Sequence, residues 1–410
     1  PPPASSGAGS ATILRNAAEQ GEIMCSNESD RQQFHYSARN GWLNDPNGLF
    51  WKDGVYHLFH QYNPGSAHWG EMHWNSAVST DLVHWEEQGV VLAPDESGTM
   101  FSGGAAADPE NRSGLGSAEN PPILLFYTAA TRGPSTQNVA FSTDGGRTFR
   151  KYAGNPVIGP IADDCERDPS VAWDPDASCW RMALYLGDRS RFFGLFESHD
   201  LLHWKETGRF EIPGGRECPE LFQIRDETTG ELLWAVIEAN GNYRTGSIRN
   251  GRFDFRSSGQ IFRRTGEKGL YAGQSFKNAP DGRRIFLAWQ QDFIRNERFS
   301  QSMSLPVALR CRSGKLLAFP VPELLALRGE EETGGYEFEF RSDNRCRKAS
   351  FAGTGLCFDG AGRELRIDEA KIPLPPGPLS WRVFLDRNTI ELFESQGRIW
   401  IGAPIRRRTG

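Results

Sequence analysis

The chain has 410 residues and a formal net charge of −6, and this mild acidity excludes a protein that binds nucleic acid through a basic surface. No apolar run reaches the ~18 residues that would cross a bilayer, which excludes a protein held in a membrane by helices. The 45 Gly and 25 Pro favour many short strands joined by turns, and the 26 Phe and 12 Trp provide material for a packed core.

The first segment in chain order, residues 1–30, is rich in Ser, Gly, Ala and Pro before it becomes acidic. This composition predicts a weakly ordered leader. The chain starts at Pro1 without Met, which is typical of a processed or trimmed chain. We therefore expect a secreted or periplasmic protein whose signal peptide is not visible.

A heptapeptide that follows the leader recurs along the chain. Residues 79–85 (Ser-Thr-Asp-Leu-Val-His-Trp) return as residues 198–204 (Ser-His-Asp-Leu-Leu-His-Trp), with a looser copy at residues 142–149. Copies about 60 residues apart indicate a repeated supersecondary unit.

A second pattern repeats in step with the first: a polar or acidic motif, an apolar run, a turn and another apolar run. The motifs begin near residues 45, 102, 168, 217 and 271. The runs are short and rich in Val, Ile, Phe, Trp and Tyr, which favours strands. The predicted strands are 49–51, 55–62, 123–127, 170–173, 180–186, 221–224, 232–237, 275–277 and 285–289.

Five such units of about four strands predict a β-propeller, in which the first strand of each blade lines the central channel. Motifs at the same register then converge at one end of the channel. We therefore expect Asp45, Asp168 and Glu217 to lie together although they are distant in sequence. A long β-sandwich, the alternative, would not explain why three acids share one register.

The pattern changes after about residue 330. The alternation at residues 336–340 (Tyr-Glu-Phe-Glu-Phe) and the apolar runs at 379–385, 389–393 and 399–401 predict a small all-β module. The predicted fold is all-β: a five-bladed β-propeller followed by a short C-terminal β-sandwich-like module. The predicted parts are the leader 1–30, the catalytic propeller 31–325 and the reduced sandwich 330–410.

Taken singly, each acidic motif is more typical of a turn than of a site, as in Asp-Pro-Asn-Gly at residues 45–48. Together, the three acids are accompanied by Trp42, Trp69, Phe101 and Trp289. Glycoside cleavage needs one carboxylate to attack, one acid to protonate the leaving oxygen, and aromatic faces for the sugar. Because the seven Cys contain no CxxC pair and the eight His no convergent ligand pattern, we expect no metal and no cofactor.

The ordered motifs resemble glycoside hydrolase family 32, which contains invertases, inulinases, levanases and other β-fructosidases. The resemblance covers roughly residues 34–320 and recurs at residues 386–393 (Asp-Arg-Asn-Thr-Ile-Glu-Leu-Phe). The motifs that carry it are Trp-Leu-Asn-Asp-Pro-Asn-Gly at 42–48, Gln-Tyr-Asn-Pro at 61–64, Trp-Gly at 69–70, His-Trp at 73–74, Phe-Ser-Gly at 101–103, Arg-Asp-Pro at 167–169 and Glu-Cys-Pro at 217–219.

The resemblance implies a retaining, exo-acting β-fructosidase that hydrolyses terminal β-D-fructofuranosyl bonds of sucrose or of fructans such as levan and inulin. It implies Asp45 as the nucleophile, Glu217 as the general acid/base, and Asp168 with Arg167 as the pair that holds ring hydroxyls and stabilises the transition state. It further implies a fructose subsite formed by Asn44, Gln61, Trp69, Phe101 and Ser102. Trp42 and Trp289 are also expected to bind substrate, and a structural role in the core is equally expected for each.

Two departures and two alternatives accompany this prediction. Gly104 stands where the family usually has Ser, and the C-terminal module has about half the usual length. A fructosyltransferase of the same fold would use the same acids and differ only in how its acceptor site excludes water. A non-catalytic sugar-binding relative commonly lacks one acid, whereas all three are present here.

Overall fold

A computed structural model gives the architecture of the chain. It describes residues 11–13, 31–131, 133–161, 164–266, 268–295, 297–328, 335–342, 346–351, 354–359 and 363–405. In these parts the chain is all-β, with only two short 3-10 helices, Pro280–Gly282 and Pro322–Leu327. None of the helices described is long and apolar enough to cross a membrane.

After β1 (Ala11–Ile13), the strands follow one another in sets of four, in which each strand pairs antiparallel with the next. The first set is β2 (Gly41–Lys52), β3 (Val55–Asn63), β4 (His73–Ser79) and β5 (Glu86–Leu92). The second is β6 (Thr99–Ala107), β7 (Ile123–Ala130), β8 (Thr136–Ser142) and β9 (Arg150–Lys151). The third is β10 (Arg167–Asp174), β11 (Cys179–Tyr185), β12 (Phe193–Ser198) and β13 (Lys205–Phe210). The fourth is β14 (Glu220–Arg225), β15 (Leu232–Ile237), β16 (Asn242–Arg249) and β17 (Arg252–Gln260).

In the fifth set, two short strands occupy the place that a single strand has in the other sets. It consists of β18 (Leu270–Ser275), β19 (Arg284–Arg295), β20 (Phe299–Met303), β21 (Val307–Arg312) and β22 (Lys315–Pro320). β18 pairs with one edge of the long β19, β20 and β21 pair with the other edge, and β22 pairs with β21.

The first strands of the five sets contact one another in a closed cycle. β2 contacts β6, β6 contacts β10, β10 contacts β14, β14 contacts β18, and β18 contacts β2. The fifth set also joins the first by a short parallel pairing, in which Gly41 lies opposite Phe299 and Trp42 opposite Ser300. The ends of these five strands therefore surround a shared space.

Apolar side chains fill the layers between neighbouring sets. Phe59 and Trp74 of the first set pack with Leu125 and Tyr127 of the second in one buried cluster. Similar clusters join the second set to the third and the third to the fourth. Fully burying a side chain such as Phe59 stabilises the fold by about 1.5–3 kcal/mol, so these layers hold the sets in place.

The two close copies of the recurring heptapeptide, residues 79–85 and 198–204, adopt the same loop between the third and fourth strands of their sets. Asp81 Oδ1 accepts hydrogen bonds from the backbone N–H groups of Val83 and His84 at 2.9 and 2.8 Å. Asp200 Oδ1 does the same for Leu202 and His203 at 3.0 and 2.8 Å. The prediction of a repeated unit is thus confirmed at the level of individual hydrogen bonds.

The bounds of two predicted strands were wrong. The Asp-Pro-Asn-Gly tetrad is not a turn ahead of a strand at 49–51 but part of β2, and β18 covers Leu270–Ser275 rather than 275–277. In both strands, an irregular pairing with the neighbouring strand accommodates the residues that favour turns.

The C-terminal part contains two sheets that share a core. Trp381 and Ile401 of one sheet are buried in the same cluster as Leu356 and Phe358 of the other. Three of the predicted runs lie within β23 (Gly335–Ser342), β28 (Leu379–Asp386) and β29 (Thr389–Glu394), and the run at 399–401 begins one residue before β30 (Trp400–Pro404). The second sheet is β24 (Cys346–Phe351), β25 (Thr354–Asp359), β26 (Glu364–Ile367) and β27 (Ala370–Pro373).

β1 pairs antiparallel with β23 and so extends the first of these two sheets. Three residues of the predicted leader, 11–13, are therefore in a strand. The rest of the leader, 1–10 and 14–30, lies outside the described residues.

Candidate active site

The three predicted acids lie at the same end of the first strands, and Cys218 connects two of them. Its backbone N–H donates to Asp168 Oδ2 at 2.9 Å. Its Sγ atom lies 3.4 Å from Asp168 Oδ2 and 3.6 Å from Asp45 Oδ2, so the single S–H can donate to either carboxylate. Glu217 precedes Cys218 directly and completes the group of acids.

An irregular backbone turns these side chains toward one another. The strand pairing shifts between Leu43 and Pro46 in β2 and between Phe101 and Gly103 in β6, with similar shifts at the starts of β10 and β18. Asp168 and Cys218 also have positive φ angles of 66° and 52°. Bulges and left-handed residues of this kind re-aim side chains near functional sites, at an energy that the surrounding strands must offset.

Asp45 is held by a hydrogen bond from β6. Ser102 Oγ donates to Asp45 Oδ2 at 2.7 Å. Burial and the nearby charge of Glu217 raise the pKa of Asp45 to about 6, although the hydrogen bonds from Ser102, Asn44 and Cys218 act in the opposite direction. Asp45 is therefore mostly ionised at neutral pH and increasingly protonated below pH 6.

Asp168 is more deeply buried, with 5% of its surface exposed. Its backbone N–H donates to Thr128 Oγ1 at 3.0 Å, which fixes the start of β10 against the second set. Burial raises the pKa of Asp168, and the charges of Glu217 and Asp45 add to this, whereas the positive charge of Arg167 opposes it.

Glu217 is bound by two side chains from neighbouring sets. Arg167 donates from Nε and Nη2 to Glu217 Oε2 at 2.9 and 2.7 Å. Tyr271 Oη donates to Glu217 Oε1 at 2.6 Å. Arg167 is positioned in turn by Asp188, at 3.1 Å from Nη2, and by the ring of Tyr185, whose centroid is 4.9 Å from the guanidinium carbon.

Several predicted substrate-binding residues surround the acids. Trp42 Nε1 donates to Asn44 Oδ1 at 2.8 Å, next to Asp45. Gln61 is buried on the adjacent β3, and its Nε2 has no acceptor among the described residues, so the amide is available to a ligand. Trp69 is 59% exposed, and its ring meets that of Phe101 edge to face at 6.2 Å.

Trp42 and Trp289 contact each other edge to face at 6.1 Å, and Trp289 also contacts the ring of Tyr271 at 6.0 Å. Trp289 is buried, and its Nε1 donates to Gln301 Oε1 at 3.2 Å. Trp289 is therefore a core residue that packs against the phenol bound to Glu217, and its contact with substrate stays a prediction.

The glycine at position 104 lies where β6 approaches β10. A Cβ atom placed on Gly104 would lie 3.1 Å from the carbonyl oxygen of Pro169, the residue after Asp168. A serine at this position would therefore require a small shift of β10 beside the buried acid.

The sequence prediction did not include Tyr271, Cys218, Tyr185 or Asp188 among the site residues. For Tyr271 a signal existed, since it begins the fifth repeat as Glu217 begins the fourth. For Asp188 and Tyr185 there was none, because they reach Arg167 only through the fold. Within the described part of the chain, no group of three or more His, Cys, Asp or Glu side chains is arranged to hold a metal ion.

Comparisons with known proteins identify the family of the chain. The model of the glycosyl hydrolases family 32 N-terminal domain matches residues 35–320. Levanase from Bacillus subtilis (strain 168) is 30% identical over 446 residues, which cover 90% of this chain and 65% of the levanase. Invertase from Schizosaccharomyces pombe (strain 972 / ATCC 24843) is 39% identical over 252 residues, which cover 58% of this chain and 43% of the invertase.

The chain therefore spans less than two thirds of the length of these curated relatives. Among solved structures, that of exo-inulinase from Aspergillus awamori is similar in fold. Its TM-score is 0.79 at 23% identity, and the match covers 92% of this chain and 93% of the exo-inulinase. On the family match over most of its length, the chain belongs to glycosyl hydrolases family 32.

Proposed function

We propose that the chain is a retaining, exo-acting β-fructosidase that hydrolyses terminal β-D-fructofuranosyl bonds of sucrose or fructans. The observation that carries this proposal is the convergence of Asp45, Asp168 and Glu217 around Cys218 and Arg167. Membership of the family and the names of the relatives, levanase and invertase, support it.

In the first step Asp45 is the nucleophile. Its carboxylate forms a bond to the anomeric carbon of the fructosyl unit, and the bond from that carbon to the glycosidic oxygen breaks. Glu217 gives its proton to the departing oxygen. The hydrogen bond from Ser102 to Asp45 Oδ2 fixes the orientation of the nucleophile and leaves Oδ1 for the attack.

In the second step Glu217, now ionised, takes a proton from water. The water oxygen bonds to the anomeric carbon, the bond to Asp45 breaks, and fructose leaves with its original configuration. Arg167 and Tyr271 both donate to Glu217, so they hold the carboxylate in place as its proton leaves and returns.

Asp168 has a different role in the proposal. It is anchored by Cys218 and Thr128 and lies 3.8 Å from Arg167 Nε, so it is placed to accept hydrogen bonds from fructose hydroxyls rather than to react. The remaining substrate contacts would come from Trp42, Asn44, Gln61, Trp69, Phe101, Ser102, Arg167 and Trp289.

For the fold, we propose a five-bladed β-propeller over 31–325 and a reduced β-sandwich over 330–410, preceded by the leader 1–30. The closed cycle of contacts among β2, β6, β10, β14 and β18 supports the propeller. The shared core of the two C-terminal sheets supports the sandwich.

Because levan and inulin are polymers, we also propose that the protein acts outside the cytoplasm, which cell fractionation would test.

The test of the proposed roles is to replace the two reacting carboxyl groups one at a time. Asp45→Asn and Glu217→Gln should each lower fructose release from sucrose, inulin and levan by about 10³-fold or more, because the nucleophile or the proton donor is lost. Azide should restore turnover in Glu217→Ala and give a fructosyl azide of retained configuration, since azide needs no general base. Near wild-type fructose release by either Asp45→Asn or Glu217→Gln would contradict the assignment, and Asp176→Asn, in an exposed turn, is the matched control.

A further inference from the structure

Two adjoining cavities of about 450 and 180 Å³ lie at the opposite ends of the first strands from the acids. Both are bordered by Ala107 at the end of β6 and Trp173 at the end of β10, and the larger also by Trp51 at the end of β2. Trp51 follows Asp45 by six residues, which at about 3.3 Å per residue places the larger cavity roughly 20 Å from Asp45. Val171 borders the smaller cavity and follows Asp168 by three residues, or roughly 10 Å. They form a separate site that the proposed reaction does not use.

The smaller cavity is lined by two partly buried cations, Lys277 and Arg284. Lys277 Nζ donates to Glu220 Oε1 at 2.9 Å and to the carbonyl oxygen of Leu221 at 3.0 Å. Arg284 lies over the ring of Phe222 and donates to the carbonyl oxygen of Gln223 at 3.1 Å. Among the described residues, these two cations share one carboxylate, that of Glu220.

The two positive charges of the smaller cavity thus have one carboxylate between them, and the remaining hydrogen bonds of Arg284 go to the carbonyl oxygens of Gln223 and Phe276. Burial lowers the pKa of both Lys277 and Arg284, which expresses the unfavourable desolvation of their charges. An anion in the smaller cavity would neutralise the surplus charge and so bind more strongly than it would at the protein surface.

Trp180 supplies a further, independent sign of a ligand. It borders both cavities, is 7% exposed, and its Nε1 has no acceptor among the described residues. A buried N–H group without an acceptor is unfavourable by about 1–3 kcal/mol, so such groups are rare in folded proteins. An oxygen atom of a bound anion would satisfy it.

The larger cavity has the walls that suit the body of an organic molecule. Trp173 packs edge to face against Trp180 at 5.1 Å, and the guanidinium of Arg112 lies 4.6 Å above the ring of Trp173. Pro109 and Pro121 provide further apolar surface. The larger cavity thus combines aromatic and Pro surface with charged residues, whereas the smaller one has the cations Lys277 and Arg284; the charged residues that border the larger cavity are Lys52, Asp108, Glu110 and Arg112.

We propose that these cavities form an oxyanion-binding site. Lys277, Arg284 and Trp180 Nε1 hold a phosphate or carboxylate group in the smaller cavity, and the larger cavity holds the remainder of the ligand. The site is distinct from the group of acids, and the proposal does not depend on the reaction proposed there.

The test measures binding of inorganic phosphate and of citrate to the whole protein by calorimetry, together with the shift of Tm that each anion causes. At least one of them should bind with a Kd of about 1 mM or tighter and raise Tm with concentration. Trp180→Phe keeps the aromatic wall and removes only the N–H, so it should weaken binding about tenfold. Arg284→Gln should weaken binding further.

Two control variants locate the anion. Trp85→Phe alters an indole that borders neither cavity and whose Nε1 donates to the carbonyl oxygen of Leu82, and Arg167→Gln removes the cation beside the acids. Both should keep wild-type affinity for the anion. Loss of binding in Arg167→Gln, unchanged binding in Trp180→Phe and Arg284→Gln, or the absence of binding of both anions at about 20 mM would each overturn the proposal. Preference for phosphate or for citrate would identify the class of anion.

Discussion

Asp45, the proposed nucleophile, has to be ionised to attack, yet its surroundings favour the protonated form. Burial and Glu217 raise its pKa to about 6, and Ser102 limits this rise because its hydroxyl donates to the charged carboxylate. The pH dependence of the reaction is therefore connected to one hydrogen bond between β2 and β6.

We expect kcat/KM for sucrose to fall as the pH decreases below about 6, because Asp45 of the free enzyme becomes protonated. Ser102→Ala should move this acid limb upward by about one pH unit, since a hydrogen bond to a charged group is lost. The measurement is a pH profile of kcat/KM between about pH 4 and 8, with Ser258→Ala on the outer strand β17 as the control. An acid limb at the same pH in Ser102→Ala would contradict the role of Ser102.

The sequence was sufficient to predict that the three acids lie together, but it was insufficient to predict which residues bind them. Asp45, Asp168 and Glu217 stand at equivalent positions of a visible repeat, so their convergence followed from the repeat alone. The positive φ of Cys218 and the bond from Tyr271 to Glu217 depend on bulges and on close packing of neighbouring sets. The repeat shows that Tyr271 occupies the position equivalent to Glu217, but neither its hydrogen bond to Glu217 nor the φ angle of Cys218 can be inferred from composition or periodicity.

The recurring loop is the clearest structural element of the molecule, because one carboxylate organises each copy. Burial disfavours the charge of Asp81, but hydrogen bonds from His84, Val83 and Ser79 outweigh it and lower the pKa of Asp81 to about 2. In the copy at 198–204, Asp200 has the same bonds, and its pKa is lowered in the same way. These loops join the two outer strands of a set.

Asp81→Ala and Asp200→Ala should each lower the free energy of unfolding by about 1–3 kcal/mol, because two backbone N–H groups lose their acceptor. Urea unfolding at pH 7 measures this, and Asp176→Ala, in an exposed turn, should change little. Since the folded-state pKa is lowered, the contribution of Asp81 is present above the unfolded pKa of about 4 and is lost as the pH falls towards 2. Equal stability of Asp81→Ala and Asp176→Ala would show that the loop needs no organising carboxylate.

Strand prediction succeeded where an apolar run was uninterrupted and failed where turn residues lie inside a strand. The runs at 221–224 and 232–237 lie within β14 and β15. In β2 the Asp-Pro-Asn-Gly tetrad is accommodated by shifts of register with β3, which depend on the partner strand. Local sequence alone could not reveal them.

Across the whole molecule, one buried histidine connects the N-terminal part of the chain to the C-terminal sheet. His35 Nδ1 lies 2.7 Å from Asp386 Oδ2, and His35 Nε2 lies 3.0 Å from Glu391 Oε1. Gln290 and Leu305 of the fifth set also donate to Glu391. Burial lowers the pKa of His35, but the hydrogen bonds to the two carboxylates outweigh it and raise the pKa to about 9.

The raised pKa predicts that stability decreases at alkaline pH. The contribution of His35 to the free energy of unfolding, about 3 kcal/mol, is fully present below the unfolded pKa of about 6.5 and is lost as the pH rises through about 9. His35→Gln should unfold at lower urea concentration at pH 6 and should lose much of this pH dependence. Urea unfolding between about pH 6 and 10 measures both effects, with His203→Gln as the exposed control. If the free energy of unfolding has the same pH dependence in His35→Gln and in the wild type, His35 is not the source of the alkaline loss of stability.

The short parallel pairing of Gly41 and Trp42 with Phe299 and Ser300 has a consequence for biosynthesis. The ribosome releases β2 some 250 residues before β20, with which it pairs, and Tyr271 must also be in place before Glu217 has all its partners. A nascent chain of between about 220 and 300 residues therefore has all three acids but lacks the pairing of β2 with β20. Because the paired strands are so distant in sequence, we expect activity to appear only after the chain has left the ribosome beyond about residue 300.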